Sequence, residues 1–207
     1  MRAESPSWDG SVDADADALA PVSSVSDERL LVRAAQTDIH AFAPLYAAYQ
    51  PRVYRYLRLR VRSSEDAADL TQQVFIQALD ALPRYHERGL PFAAWLFRIA
   101  RNVAIDAQRR NRNRYRDHAT LDGLPEALLR SSGTGDDPEQ AVLRRERLDR
   151  LRELLAALDA EQRELLSLRF AAGLSSREIA PVVGKREGAV KRQMTRIIQT
   201  LREQYDV

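Results

Sequence analysis

The sequence predicts an all-α protein, two small helical domains joined by a flexible linker. Three observations carry that expectation. Apolar residues recur every three or four positions through 26–113 and again through 139–207, the period of a helix with one buried face. Nothing in the first of these stretches alternates as a half-buried strand would. Between them, residues 114–138 contain GLPEALLRSSGTGDDP, whose clustered Gly, Ser, Asp and Pro mark a linker.

Taken in order, residues 1–25 are rich in Ser, Asp, Ala and Pro, include DADADALA, and read as a disordered acidic tail. Ser26 is placed to cap a first helix, DERLLVRAAQ, with acids in its first turn. A second restarts at Thr37 and Asp38 and runs through Phe42, Leu45, Tyr46 and Tyr49. Pro44 fits that helix only if it begins near Ala41, because proline suits a first turn. Pro51 is expected to start or kink the next segment, where Val53, Leu57 and Val61 alternate with Arg52, Arg55, Arg58, Arg60 and Arg62.

Ser63 and Ser64, followed by Glu65 and Asp66, cap a third helix that ends at Pro83. Its buried stripe is Ala67, Leu70, Val74, Phe75, Ala78, Leu79 and Leu82. A short loop, RYHERG, leads into LPFAAWLFRIARNVAIDAQRRNRNRYR at 90–116. Phe92, Trp95, Leu96, Ile99 and Val103 form one face of a helix there. Arg98, Arg101 and Arg109 lie on or near the opposite face, with Asn102 on the shoulder between. The end of the stretch, Arg109, Arg110, Arg112, Arg114 and Arg116, has almost no acid nearby. A helix that packs on one side and offers arginines, an amide and nearby aromatics on the other suits nucleic acid.

The 25 linker residues have an r.m.s. span of roughly 25–30 Å. Leu121, Leu124, Leu128 and Leu129 make the segment apolar enough to dock on something. A helix resumes over 139–158 on Val142, Leu148, Leu151, Leu154, Leu155 and Leu158. Asp159 with Gln162 forms a capping box before Leu165, Leu166, Leu168 and Phe170, and Gly173 closes that helix. Ser175 with Glu178 forms another box for the short helix SREIAPVV, which stops at Gly184. Pro181, inside it, removes a backbone donor and predicts a bend. A long final helix, EGAVKRQMTRIIQTLREQY, follows.

A short helix, a glycine turn and a longer basic helix follow the helix-turn-helix plan, whose second helix enters the DNA major groove. Arg186, Glu187, Lys191, Arg192, Thr195 and Arg196 are the residue types expected on that DNA face. Composition agrees. The net charge of +2 hides an acidic −4 over residues 1–25 and a basic +6 over the remainder. All but two of the 32 basic residues are arginine, the side chain best suited to phosphate and guanine. The absence of cysteine excludes disulfides and cysteine zinc sites, and no stretch approaches the roughly 18 apolar residues of a membrane span. The acidic start is unlike a signal peptide, so a cytoplasmic protein is expected.

With both halves placed, the chain resembles the bacterial RNA polymerase sigma factors of the extracytoplasmic-function (ECF) group. DLTQQVFIQAL at 69–79 resembles their polymerase-binding helix, and PFAAWLFRIARNVAID at 91–106 their promoter-melting helix. LDAEQRELLSLRFAAGLSSREIAPVVG at 158–184 with EGAVKRQMTRI at 187–197 resembles their region 4. The resemblance implies region 2 over 26–113 and region 4 over 139–207. It implies docking of Asp69, Gln72, Gln73 and Phe75 on core RNA polymerase. It further implies capture of a flipped −10 base by the Tyr85–Gly89 loop with Asn102, for which Tyr85, His86 and Asn102 supply stacking and hydrogen-bonding groups. Arg98, Arg101, Arg109 and Arg110 would then hold phosphates, and Arg186, Lys191, Arg192 and Arg196 would read the −35 element. The implied partners are core polymerase, promoter DNA and an anti-sigma factor.

The chain departs from the family pattern at Gln73, where an acid is common, at Pro181 and in its longer tail. Its implied function is an alternative sigma factor starting transcription of a specific gene set. A stand-alone helix-turn-helix regulator is the alternative, leaving the Trp95–Asn102 face unexplained. Enzyme chemistry finds no phosphate loop, no zinc spacing and only three scattered histidines, His40, His86 and His118. A helical adaptor is a further alternative. No cofactor, metal, small-molecule substrate or membrane insertion is expected.

Overall fold

The computed structural model describes residues 25–61, 63–87, 89–112 and 149–205. The expected linker at 114–138, its four leucines, and the tail up to residue 24 lie outside them, as do Val142 and Leu148. Among the described residues every regular element is helical.

Helix α1 is Val25–Thr37. It begins one residue before Ser26, which therefore lies inside the first turn rather than capping it. A 3₁₀ turn, Ile39–Phe42, follows, with the Asp38 side chain accepting from the His40 N–H. Helix α2, Ala43–Arg58, has Pro44 in its first turn, where a missing N–H is harmless. Pro51, by contrast, neither starts nor breaks a segment, because α2 continues through it. Its side chain faces solvent, so the ring displaces no packing.

Helix α3, Ser64–Ala81, is capped by Ser63, whose hydroxyl accepts from the Asp66 N–H. A 3₁₀ turn at Leu82–Arg84 carries Pro83, and α4 runs Phe92–Arg112. In the second half, α5 spans 149–157 and α6 spans Ala160–Leu166. The expected box of Asp159 and Gln162 caps α6 in both directions. α6 then widens into a π-turn, Ser167–Ala171. Gly173, at a φ of 65°, ends it, and the Leu174 N–H reaches back to the Leu168 carbonyl. Helix α7, Ser176–Val183, has the Ser175 and Glu178 box and stops at Gly184, again left-handed. It continues through Pro181 without a break. Helix α8, Glu187–Tyr205, completes the chain.

Each half has its own apolar centre. Tyr56 and Phe97 meet edge to face at 5.5 Å in the first, beside Leu45, Val53 and Leu96. Leu165, Leu168, Leu174, Ile179 and Val190 fill the second. These are not separate cores, because one continuous cluster of buried residues runs through both halves. α4 packs on α7, and α2 on the π-turn.

The α2 contact is built on arginine. Arg52, 7% exposed, lies over the Tyr49 ring at 4.8 Å. Its Nε donates to the Ala172 carbonyl at 2.7 Å and its Nη2 to that of Gly173 at 3.0 Å. Arg55 Nε donates to the Ala171 carbonyl at 3.1 Å. A helix leaves its last carbonyls unpaired and partly negative, and these two guanidinium groups satisfy them from the other half of the molecule.

Candidate nucleic-acid interface

Helix α4 divides its circumference three ways. Phe92, Leu96, Phe97, Ala100, Val103, Ala104 and Ala107 are buried. Arg98, Asn102, Arg109 and Arg110 are exposed, and positions 98, 102 and 109 fall along one line of the helix. Arg101 turns away from them, toward the second half.

The loop before α4 is held from both sides. Gln36 Nε2 donates to the Leu82 carbonyl at 3.1 Å and to that of Tyr85 at 2.7 Å. Arg29 Nε pairs with Glu87 at 2.7 Å. Tyr85 itself is not a free aromatic face. Its ring is buried between Phe92, at 5.9 Å, and Trp95, at 4.9 Å. Its hydroxyl donates to the Leu90 carbonyl, and burial pushes the phenol well above its ordinary range. His86 beside it is exposed and Trp95 is half-buried. Asn102 lies seven residues beyond Trp95, about 10 Å further along the same face. The expected trio is therefore brought to one side of the molecule without Tyr85 as a stacking surface. Trp95, which the sequence reading assigned to the packing face, stands in the position between loop and amide.

On α3, Asp69, Gln72 and Ile76 are exposed and Gln73 is half-buried. Phe75 is buried instead, 6.2 Å from the Phe42 ring and 4.7 Å from that of Tyr46. The expectation that Phe75 offers itself to a partner is corrected by this packing. Ile76, 60% exposed, and Tyr46, 44% exposed, are the apolar groups at that surface, with Ile39 on the adjoining turn. Tyr46 has the helical spacing of a packing residue, four after Phe42 and three before Tyr49, yet it lies at the edge of that stripe.

In the second half, α7, Gly184 and α8 form the helix-turn-helix. Arg186 stands just before α8, its carbonyl accepting from the Ala189 and Val190 N–H groups. Arg186, Glu187, Lys191, Arg192, Thr195 and Arg196 are all exposed, while Val190, Met194 and Ile197 are buried. Glu187 pairs with Lys191 at 3.0 Å, one turn on. Arg192 and Arg196 line a groove of about 490 Å³ between α5 and α8, set apart from Arg186 at the helix tip. Lys185 braces the turn by pairing with Glu161 and donating to Gln193 at 2.8 Å. Its hydrogen bond holds the Glu161 carboxyl below the ordinary range.

Three groups in the first half converge on Glu164 of α6. Tyr56 Oη donates to it at 2.9 Å, Arg60 pairs with it, and Arg101 Nε lies 3.6 Å away. That last distance is too long for a hydrogen bond, and the buried Nε has no other partner. The Arg60 guanidinium stacks 3.6 Å over the Tyr56 ring, and burial pushes that phenol up. Sequence reading missed this cluster. Its one local signal is the four-residue spacing of Tyr56 and Arg60 across the end of α2.

The family model for Sigma-70 region 2 matches residues 45–114, and that for Sigma-70, region 4 matches residues 148–201. The ECF RNA polymerase sigma factor SigD of Mycobacterium tuberculosis is 37% identical over 194 residues, 90% of this chain and 88% of SigD. The ECF RNA polymerase sigma factor BldN of Streptomyces coelicolor is 36% identical over 83% of this chain and 63% of BldN. Among solved structures, CnrH in complex with the cytosolic domain of CnrY is similar with a TM-score of 0.59 and 27% identity. That match covers 86% of this chain and 97% of CnrH.

The two braces of the α4 loop are expected to differ in strength. Gln36→Ala removes two donors to part-buried carbonyls and should lower stability by about 1–2 kcal/mol. Amide exchange at His86 and Glu87 should rise with it. Arg29→Ala breaks an exposed ion pair and should change stability by less than about 1 kcal/mol. Urea unfolding with hydrogen exchange measures both. Equal effects would refute this ranking.

Proposed function

Because the chain belongs to the ECF group of RNA polymerase sigma factors, and is an alternative sigma factor of transcription initiation, we propose how its surfaces divide that work. One observation carries the proposal: the same chain presents two separate exposed cationic surfaces, one on α4 and one at the tip of a helix-turn-helix. Residues 26–113 act as region 2, 114–138 as linker and 139–207 as region 4, in the cytoplasm.

The α3 face, Asp69, Gln72 and Gln73, docks on core polymerase, with Ile76 and Tyr46 as apolar anchors in place of Phe75. Exposed apolar groups ringed by polar ones suit a protein partner. Along α4, Arg98 and Arg109, with Arg110, hold backbone phosphates. His86, the Trp95 edge and Asn102 take a base flipped from the −10 element, while Tyr85 braces the loop beneath them. In region 4, Arg186 and Lys191 reach base edges of the −35 element from the N-terminal end of α8. Glu187 accepts from cytosine, Thr195 adds a hydroxyl, and Arg192 and Arg196 hold phosphates. A regulator of the anti-sigma kind is the fitting protein partner; CnrH, which this chain resembles, is itself solved with a bound protein, the cytosolic domain of CnrY.

Reconstitution with core polymerase, followed by sequencing of the promoter DNA that is selected, tests the whole assignment. A common pair of −35 and −10 elements is expected, and the absence of any enriched sequence would refute it.

An Asp69→Ala, Ile76→Ala double variant should retain far less core polymerase than the wild type in a pull-down, with its helical circular dichroism unchanged. Equal recovery would remove α3 as the docking face.

Stacking a base on an aromatic is worth roughly 1–3 kcal/mol, against a few for unstacking it from the duplex. The balance is close, so losing one captured base should tip it. Asn102→Ala should leave closed-complex formation nearly intact and reduce transcription from duplex promoters. A template mismatched across the −10 region should recover part of the loss. Full activity on a closed duplex would end the capture role for Asn102.

A further inference from the structure

We propose that Gly188, in the first turn of α8, determines specificity at the −35 element by letting the helix backbone come against the base edges. The inference deepens the −35 reading proposed above and rests on it.

Glycine suits that position on no local ground. It is among the least favourable residues inside a helix, because an unfolded glycine has more backbone freedom to lose than any other residue. The other three described glycines, Gly89, Gly173 and Gly184, have φ angles of 75°, 65° and 72°, which a side chain would strain. Gly188 has no such angle and lies within the regular helix Glu187–Tyr205. Nor is it crowded. Apart from its chain neighbours and its own helix backbone, the one described atom within 4 Å of a Cβ built there is Arg192 Nη1, at 3.5 Å. That is ordinary van der Waals contact, so the folded chain has room for alanine. The protein's own packing gives no reason for a glycine.

The reason lies outside the chain. Gly188 is exposed, four and seven residues before Arg192 and Thr195, and shares their line of α8. The −35 reading places both of those side chains on DNA, while Val190, Met194 and Ile197 form the buried side of the helix. In a helix-turn-helix the N-terminal residues of the second helix contact base edges in the major groove. A side chain at 188 would stand between the backbone and a base pair there. Its absence lets the Cα approach the edge as only glycine allows. An apolar Cα suits the C5 methyl of thymine, the group that marks that base in the major groove. Selection at that base pair is then enforced by fit rather than by charge. The helix is weaker than it could be in exchange, a compromise common at functional positions.

Gly188→Ala tests this, because stability and recognition should move in opposite directions. The full chain carrying it is compared with the wild type in thermal unfolding and in transcription with core polymerase. The templates are the promoter selected by reconstitution and a set in which each −35 position is changed in turn. Gln199→Ala, exposed on the same line of α8 but about 16 Å further along, is the control. The unfolding midpoint of Gly188→Ala should rise by roughly 1–4 °C. At limiting sigma concentration its transcription from the selected promoter should fall at least about fivefold. That difference from the wild type should vanish on templates changed at one −35 position, where the wild type has lost the same contact. The salt dependence should not change, since no phosphate contact is removed, and Gln199→Ala should use the promoter as the wild type does.

Equal promoter use by Gly188→Ala and the wild type would overturn the proposal. So would a loss spread evenly over every −35 variant, or an unfolding midpoint that falls together with activity. A wild type indifferent to the −35 sequence would overturn the −35 reading itself and the glycine's part with it. That failure is distinct from a wild type that reads the element and a variant that reads it equally well, which removes the glycine alone.

Discussion

The buried guanidinium of Arg52 is the interaction on which the packing of the two halves depends. A charge at 7% exposure is costly to keep from water unless every donor is answered. Here the ring of Tyr49 flanks it at 4.8 Å, the Ala172 carbonyl takes its Nε–H and that of Gly173 an Nη2–H. Those carbonyls come from a helix end, where the backbone is already electron-rich. Each side resolves the other's unsatisfied groups, and the carboxyl of Glu28 completes the site by accepting from the Tyr49 hydroxyl. Burial pushes that carboxyl above its ordinary range while the hydroxyl pulls it down.

Helix α4 shows how closely packing and recognition share a single element. Its interior line, from Phe92 to Ala107, anchors the first half. Its solvent line carries Arg98, Asn102 and Arg109. Its third line, Arg101, Ile105 and Gln108, borders the junction cavity. A helix of 3.6 residues per turn can serve three surfaces only if each is narrow. That narrowness explains why one arginine in the series meets a carboxylate of the other half while its neighbours face water.

What could be read from the sequence was mostly what is encoded locally. The boxes at Asp159 with Gln162 and at Ser175 with Glu178, and the left-handed glycines 173 and 184, stand where their residue chemistry predicts. Each needs only neighbours within five residues. A proline inside a helix typically costs about 3 kcal/mol, which is why Pro51 is expected to start or kink a segment and Pro181 to bend one. Both helices run on through the proline. The helical period puts Phe75 in the buried stripe and only the family resemblance offers it, like Tyr85, to a partner; aromatic neighbours from other elements bury both rings. Glu164 was invisible as a site because Arg60 lies 104 residues away from it in the chain, and no local pattern spans that distance. The outward cations of α4 and α8 were legible as polar positions in an apolar period.

The π-turn at Ser167–Ala171 has a further meaning for how such chains tolerate insertion and deletion. A wide turn of this kind, closed here by the Ala172 N–H on the Ser167 carbonyl at 3.0 Å, amounts to one residue more than a regular helix would hold. Its removal would rotate everything downstream by about 100°, the angle per residue of an α-helix. The carbonyls of Ala171, Ala172 and Gly173 would then point away from Arg52 and Arg55, although no side chain in the junction had changed. Angular phase, set by a single backbone residue, decides which pairs of surfaces this fold can bring together.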